Sequence, residues 1–462
     1  MAKVKSKKIT LEEALVPVEE QPYEVPENWC WIKLGTISSI ISKGTTPKGG
    51  KTAYVDEGID FLRVENINDD GTICHDDMMH VTEETHTGFL KRSILEENDI
   101  LVSIAGTLGK TAIVKNDDLP LNTNQAVAFV RLRDNGEISR EYIRYAIDTP
   151  VIQNILMSKT KVTAIPNLTL EIISECLIPL PPLSEQQRIV EQIESLFAKL
   201  DEAKEKAQEV IDGVETNIEA VLYNAFSGKL TQYWRKENSV DYNWENSTLS
   251  KIVSGLKYGS SEKSDYNNNG TPVLRIPNIG EGVIDFSDLK YMQGELGNSY
   301  HEVFENDILI IRSNGSRDLV GKCAIVPALE RRYAYASFLI RIKASDKVLP
   351  KYLVRYINSS MARGQLFAKA KSSSGIHNIN SKELGSIRID VPTIEEQTEI
   401  LKIIEPLIKK ELDVKDITSN MIENIAELKK SILAKAFRGE LGTNVSLEES
   451  SIELLKKTIE EG

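Results

Sequence analysis

The chain has 462 residues, 41% of them hydrophobic and 27% charged, with a formal net charge of −13 at pH 7. That length exceeds a single compact core and predicts two to four domains. The four cysteines form no Cys-x-x-Cys pair and the five histidines show no metal-ligand spacing, which argues against disulfides and a metal site. No apolar run approaches the roughly 18 residues of a membrane span, and the basic N-terminus lacks the apolar stretch of a signal peptide. We therefore expect a cytoplasmic protein without bound metal.

The predicted elements, taken in chain order, form two similar halves, each with short strands broken by Gly, Asn, Asp and Pro turns and then a long helix. The boundaries that we predict are 1–21 for an N-terminal segment with a possible short helix, 22–182 for the first mixed domain, 183–228 for the first long helix, 229–241 for a linker, 242–392 for the second mixed domain, 393–441 for the second long helix and 442–462 for a tail helix.

An internal repeat with an offset of about 211 residues connects the two halves. The run LSEQQRIVEQI from Leu183 aligns with IEEQTEILKII from Ile394, and ENDILV from Glu97 aligns with ENDILI from Glu305. Because the order of the matches is kept, the chain is predicted to contain two copies of one unit, a mixed domain followed by a long helix.

Apolar residues of the first long helix recur at alternating spacings of four and three from Ile189 to Ala225, the pattern of a coiled-coil seam roughly 60 Å long. Val210 belongs to this seam. The second helix keeps the seam through Ile400, Ile404, Leu407, Val414, Met421, Ile425, Leu428 and Ile432, with Glu411 at one apolar position and a kink expected at Pro406. Each stripe needs a partner, and the other copy is the obvious one. The predicted fold is therefore α+β, with two mixed α/β domains in tandem repeat, separated by a pair of long antiparallel coiled-coil helices. A plain dimerisation device is the alternative for the helices.

The stretch SIAGTLGKTA at 103–112 looks like a phosphate-binding loop after a strand, which would indicate an ATPase. However, Ile104 stands at the first glycine position, and the residues after Lys110 predict a strand instead of a helix. In the second copy, Cys323 follows Lys322 where a hydroxyl would hold magnesium. The feature that both copies share is a β-hairpin with a Gly-Lys tip.

Matched loops in both mixed domains carry lysine, hydroxyl side chains and glycine, which suits contact with DNA. Lysine binds phosphate without regard to sequence, whereas polar side chains nearby read base edges. The plainer alternative is that these loops are solvated turns. The predicted DNA-binding residues are Lys43, Thr45, Thr46, Lys48, Thr107, Lys110, Lys159, Lys161, Thr163, Lys257, Tyr258, Ser260, Lys263, Arg312, Asn314, Arg317, Lys322, Lys371 and Ser373.

The run PLPPLSEQQRI at 179–189, its second copy VPTIEEQTEI at 391–400, and Ala-Phe-x-Gly-x-Leu at the end of both helices resemble the specificity (S) subunit of type I restriction-modification enzymes. The resemblance covers nearly the whole chain. It implies two target-recognition domains that each read half of a bipartite, asymmetric site on double-stranded DNA, and helices that set the spacer. It also implies no catalytic centre in this chain.

The same resemblance implies two methyltransferase (M) subunits, which methylate adenine with S-adenosylmethionine, and two restriction (R) subunits that use ATP and magnesium. We expect exposed helix starts to bind these partners, although capping and solvation would explain the same residues. The predicted partner-binding residues are Glu185, Gln186, Gln187, Arg188, Glu396 and Gln397. The alternative function is a noncatalytic coiled-coil scaffold with two protein-binding domains.

Overall fold

The computed structural model describes residues 10–133, 136–160, 166–293, 296, 301–373 and 375–460, without the side chains of residues 51 and 371–373. The chain divides into two compact units, Met1–Lys206 with Met421–Gly462, and Ala207–Asn420. Each unit therefore combines one mixed domain with part of both long helices.

The first unit is built around an antiparallel sheet whose strands lie in the order Ser38–Lys43, Val127–Leu132, Ile100–Ser103 and Thr111–Ile113. Alternate residues of a strand point to opposite faces. Accordingly, the side chains of Ile100–Ser103 divide between two cores, with Ile100 and Val102 in one and Leu101 in the other. This is why the strand reads as a continuous apolar run.

Two smaller sheets and a set of helices complete the first unit. Met79–Val81, Ile59–Leu62 and Leu121–Thr123 form a mixed sheet, and Cys30–Lys33 pairs antiparallel with Leu177–Leu180. The helices described here, besides the long ones, are Leu11–Ala14, Glu83–Thr87, Arg140–Asp148, Pro150–Ser158, Leu170–Ser174 and Ser451–Glu460.

The second unit repeats this plan with more short strands. Its main sheet has the order Val253–Tyr258, Leu339–Ala344, Ile308–Ile311, Cys323–Ile325 and Gly282–Val283. A second five-stranded sheet has the order Ser264–Asp265, Lys290–Met292, Thr271–Leu274, Tyr333–Tyr335 and Glu302–Val303. A three-stranded sheet has the order Ser313–Asn314, Ile376–Asn378 and Lys371–Ser373. A two-stranded sheet pairs Glu245–Thr248 with Arg388–Val391. The shorter helices described here are Gln232–Glu237, Leu249–Ile252, Pro350–Asn358, Ser360–Lys369 and Ser381–Gly385.

Matched turns confirm the internal repeat at the level of backbone conformation. Asn98 and Asn306, which precede the matched strands, both take left-handed conformations with φ of 69° and 67°. The next residues, Asp99 and Asp307, are buried, and each carboxylate accepts a 2.9 Å hydrogen bond from the backbone N–H three residues earlier. The same turn therefore leads into the same central strand in both halves.

The long helices occupy Leu183–Phe226 and Ile394–Ala436, close to the predicted ranges, and Pro406 lies inside the second. The run Ser184-Glu-Gln-Gln187 is typical of a capping box and predicts Ser184 as the capping residue of the first helix, but the structure places Ser184 inside the first turn. The helix begins one residue earlier, and the Ser184 hydroxyl donates to Oε1 of Glu448 at 2.9 Å.

The two helices run antiparallel within each unit. In the first unit, Lys429 Nζ lies 2.6 Å from Oδ1 of Asp201. In the second, Nδ2 of Asn217 donates to Oε2 of Glu411 at 3.2 Å, so this glutamate at a predicted seam position is hydrogen-bonded to the facing helix. In the same unit Lys415 Nζ lies 3.9 Å from Oε1 of Glu215, so rising residue numbers on the first helix meet falling numbers on the second, which confirms the predicted direction.

Some residues of the predicted coiled-coil seam are exposed. Ile400, Ile404 and Ile408 are buried in the core of the second unit, whereas the predicted seam residue Leu407 is 41% exposed. The apolar stripe here follows a spacing of four because these residues pack on the mixed domain as well as on the partner helix. Other predicted seam residues that are exposed are Val210, Met421 and Leu428.

The two ends of the chain close the first unit. The predicted N-terminal helix is present at Leu11–Ala14, with Thr10 and Glu13 forming a capping box. The tail helix Ser451–Glu460 buries Leu455 in the core of the same unit. Residues from both ends therefore contribute to one core.

Candidate nucleic-acid interface

Each mixed domain contains a point where two backbone segments cross at a glycine. A Cβ atom on Gly44 would lie 2.1 Å from the carbonyl oxygen of Asn124, and one on Gly259 would lie 2.3 Å from that of Tyr335. Neither position has room for a side chain. The crossing fixes the loop after the first sheet strand against the turn that precedes the second, so both loops present their side chains from a rigid base.

Replacing Gly44 with alanine is expected to lower the free energy of unfolding by about 1–3 kcal/mol, because backbone must move to admit the methyl group. Urea unfolding of the variant and the wild type measures the difference. Gly213→Ala is the control, since a Cβ atom there meets nothing within 4 Å. Equal stability of the wild type and Gly44→Ala would contradict the crossing.

A cleft of about 690 Å³ opens beside this crossing in the first domain. Ile104, 4% exposed, forms part of its apolar lining. Lys43, Arg92, Gln125 and Asn167 border it with exposed side chains. The cleft therefore combines cations, amides and an apolar surface, the set of groups that contacts phosphates and base edges.

The predicted DNA-binding loop at 43–48 lies beside this cleft, and Lys43 is part of the lining. Arg92, which sequence reasoning missed, donates from Nη2 to the Thr45 hydroxyl at 3.0 Å. The Lys48 ammonium lies 5.2 Å from the centre of the Phe89 ring, and Thr46 is exposed. The structure thus brings the loop at 43–48 together with a distant arginine.

The matching part of the second domain is arranged around Arg312. Its guanidinium lies 4.8 Å from the ring centre of Tyr258, and it donates to the Ser337 carbonyl at 3.3 Å and to Oδ1 of Asn378 at 3.2 Å. The buried Ser260 hydroxyl accepts from the backbone N–H of Glu262, so this predicted DNA contact is used in a turn.

The remaining predicted DNA-binding residues are spread over both domains. Exposed among them are Thr107, Lys159, Lys257, Lys263 and Arg317. The side chain of Asn314 accepts a 2.7 Å hydrogen bond from the backbone of Ser316. Residues 161 and 163, predicted as Lys161 and Thr163, lie outside the described residues, as do the side chains of Lys371 and Ser373. Their contact with DNA stays a prediction.

The two Gly-Lys tips are hairpin turns, as predicted, but their lysines line clefts against the long helices. Lys110 Nζ lies 2.7 Å from Oδ1 of Asp69 and donates to the Ile67 carbonyl at 3.1 Å. Its cleft also contains Phe197 of the first long helix. Lys322 lines the corresponding cleft of the second unit. Lys110 therefore has protein partners, and a DNA role for either lysine stays a prediction.

The start of the first long helix corrects the expectation of an exposed partner-binding face. Glu185 and Gln186 are fully buried. Glu185 Oε2 accepts from the indole of Trp29 at 2.8 Å and from Asn444 at 2.9 Å, and burial raises its pKa. Gln186 Oε1 accepts from the backbone N–H of Ser139 at 2.9 Å. Buried polar groups need such partners, and here the loops of the same unit supply them.

The second helix start repeats this arrangement. Glu396 accepts hydrogen bonds from the Trp244 indole at 2.9 Å and the Thr231 hydroxyl at 2.6 Å, and it pairs with Arg235. Gln397 is also buried, and its Oε1 accepts from the Leu349 N–H at 2.8 Å. The expectation of exposure was wrong for both residues.

Of the six predicted partner-binding residues, Gln187 is exposed. Arg188 is partly exposed and forms a bidentate pair with Glu448 at 2.9 and 2.7 Å. Partner contact through these two residues stays a prediction.

An imidazole between two carboxylates gives the first domain a pH-dependent contact. Nε2 of His75 lies 2.9 Å from Asp118, and Nδ1 lies 2.9 Å from Asp60. The hydrogen bonds to Asp118 and Asp60 raise the pKa of His75. Stabilisation by the imidazolium is therefore complete below the ordinary pKa of about 6.5 and disappears as the pH rises through the raised value.

The melting temperature of the wild type should exceed that of His75→Gln most at about pH 5.5, and the difference should shrink steadily above about pH 7. Thermal unfolding of both proteins across this range measures it. His377→Gln, in the second domain, is the control. A difference that grew with pH would contradict the assignment.

Within the described residues, no group of three or more His, Cys, Asp or Glu side chains is placed to hold a metal ion. No helix in the described part of the chain is long and apolar enough to cross a membrane.

The chain has two matched domains, and each presents loops with cationic and amide side chains from a rigid backbone crossing. These features define a nucleic-acid-binding protein with a duplicated recognition domain. The chain belongs to the family described as type I restriction modification DNA specificity domain, whose model matches residues 26–211 and 242–424. The prediction of a noncatalytic DNA-specificity subunit is thereby confirmed. Two copies of the domain fit recognition of a site with two halves.

Named relatives agree with this family over most of the chain. The type I restriction enzyme EcoKI specificity subunit of Escherichia coli (strain K12) is 27% identical over 449 residues, covering 94% of this chain and 95% of the relative. The StySPI specificity subunit of Salmonella potsdam is 25% identical over 425 residues, covering 90% of each.

Solved structures show the same fold. A chain from a structure on complex assembly and conformational transition of the type I R-M system superposes with a TM-score of 0.71, at 20% identity, covering 91% of this chain and 100% of that one. The HsdS subunit from Thermoanaerobacter tengcongensis gives 0.51 at 19% identity, covering 92% and 100%. The predicted fold class is confirmed.

Proposed function

We propose that each recognition domain of this chain reads one half of an asymmetric DNA site, and that the two long helices set the number of base pairs between the halves. The chain supplies recognition to a complex in which other subunits carry out chemistry. Because the chain recognises DNA, we place this activity in the cytoplasm.

In this proposal, two methyltransferase subunits bind the chain and methylate adenine with S-adenosylmethionine. Two restriction subunits, which use ATP and magnesium, complete a larger assembly that cuts unmethylated DNA. No cofactor is assigned to this chain itself. Gln187 and Arg188 remain the candidates for partner contact among the predicted residues, because their side chains reach the surface of the first unit.

The observation that carries the proposal is the shared backbone with different side chains. Both domains keep the glycine crossing at Gly44 and Gly259. Beside it, the first domain presents Lys43 where the second presents Tyr258. Recognition of two different half-sites requires different base-contacting side chains, and here they are presented from the same backbone arrangement.

Selection of duplexes from a random DNA pool by the chain in complex with its methyltransferase subunits tests the proposal. The expected result is one motif in two parts with a fixed spacer, methylated on adenine when S-adenosylmethionine is supplied. Binding without sequence preference by a fully assembled complex would contradict it and favour the scaffold alternative.

A further inference from the structure

Matched backbone hydrogen bonds show which residues are equivalent in the two recognition domains. The N–H of Ile104 donates to the carbonyl of Ala126 at 2.7 Å, and the N–H of Arg312 donates to that of Phe338 at 2.9 Å. Ile104 and Arg312 therefore stand at equivalent positions. The residues that precede the two acceptors, Gln125 and Ser337, are equivalent as well.

A second pair of hydrogen bonds fixes the opposite wall. The carbonyl of Ile104 accepts from the residue after Asn167 at 3.0 Å, and the carbonyl of Arg312 accepts from the residue after Asn378 at 2.8 Å. Asn167 and Asn378 are thus equivalent. In each domain, one side chain lies between a residue of the turn and an asparagine.

The two domains fill this frame differently. In the second, Arg312 connects both walls through its bonds to Ser337 and Asn378. In the first, Ile104 has no polar group, and within the described part of the chain the exposed amides of Gln125 and Asn167 have no hydrogen-bond partner. The result is the open cleft of about 690 Å³.

We propose that Gln125 and Asn167 are specificity-determining residues that read base edges of the first half-site. A primary amide offers one donor and one acceptor side by side, which matches N6 and N7 of adenine in the major groove. Ile104 between them offers an apolar contact of the kind that a thymine methyl group takes. The inference rests on the proposed function and names the base pair read, A·T.

Cations at the rim of the cleft support this assignment. Lys43 is exposed and, among the described residues, has no ion-pair partner. Arg92 is held by Thr45, which keeps its guanidinium at the rim. Phosphate contacts from both would orient the duplex over the amides without adding sequence preference of their own.

Competition binding tests the proposal on the chain assembled with its methyltransferase subunits. The probes are the duplex selected by the wild-type complex and duplexes with single substitutions at each first-half position. For Gln125→Ala and Asn167→Ala, discrimination at one or two A·T pairs of the first half should fall by about 5- to 150-fold. Discrimination in the second half should stay unchanged.

Asn154→Ala is the matched control, because it removes an exposed amide of the same domain outside the cleft. Its discrimination should equal that of the wild type. If both cleft variants retain full discrimination in the first half, or lose it only in the second half, the inference is overturned. If the wild-type complex selects no two-part motif, the proposed function fails instead, so the two failures are distinguishable.

Discussion

Replacing Glu396 with alanine is expected to lower the free energy of unfolding of the second unit by about 3–5 kcal/mol. The carboxylate is 1% exposed and accepts hydrogen bonds from Trp244 and Thr231 while it pairs with Arg235. Arg235 is also buried. Removal of Glu396 would therefore leave the Arg235 guanidinium charge without an anion in the protein interior. Such an uncompensated charge is the main source of the expected loss.

Urea unfolding followed by intrinsic tryptophan fluorescence measures this change, since two of the four tryptophans, Trp234 and Trp244, lie in the second unit and the Trp244 indole donates to the substituted side chain. Glu395→Ala is the matched control, since that neighbouring glutamate is exposed and should change stability by less than about 0.5 kcal/mol. Glu396→Gln keeps an acceptor for the indole and should fall between the two. A loss below about 1 kcal/mol in Glu396→Ala would show that the pair does not hold this helix start.

Replacing Lys43, Lys48 and Lys159 together with glutamine is expected to lower DNA affinity of the assembled complex on the order of 100-fold at about 0.15 M salt. All three side chains are exposed on the first recognition domain. If each lysine neutralises one phosphate, the slope of log affinity against log salt becomes shallower by about 2.7. The loss should be similar for cognate and noncognate duplexes, because phosphate contacts carry no sequence information.

Titration of fluorescent duplexes at several salt concentrations measures both the affinity and the slope. The matched control replaces Lys199, Lys204 and Lys206 of the first long helix, which changes the net charge equally. It should leave the slope within about one unit of the wild type. A loss confined to the cognate duplex would mean that the three lysines act through sequence recognition instead.

The architecture could be predicted from the sequence because local sequence patterns determine most of its elements. The repeated ENDIL run produced matched left-handed turns at Asn98 and Asn306. The spacing of apolar residues predicted the long helices, and the glycines of the Gly-Lys tips predicted two hairpins. Each of these features depends on residues close together in sequence.

The errors concern residues whose environment depends on distant parts of the chain. Glu185 and Gln186 look like exposed helix-start residues, but Trp29 and Asn444, from opposite ends of the chain, cover and bond the first of them. Lys110 looks like a free cation until Asp69 is placed beside it. Helical periodicity carries no information about such long-range partners.

The candidate cleft was missed for a related reason. Gln125 and Asn167 are separated by a helical segment and share no motif with the lysine-bearing loops. The repeat could have indicated them, since the ENDIL alignment places Ile104 opposite Arg312, a change from apolar to charged beside a strand that both copies share. What the sequence alone lacks is the pair of backbone bonds that puts both amides on the walls of one cleft.

In the proposed function, the two recognition domains of one chain recognise two different DNA half-sites. Mapping N6-methyladenine across host DNA in cells that express the chain with its methyltransferase subunits tests it most directly. The expected map is a single bipartite, asymmetric motif with a constant spacer, in which Gln125→Ala relaxes one half and Arg312→Ala relaxes the other. A continuous motif, or a variant in either domain that relaxes both halves together, would contradict this function.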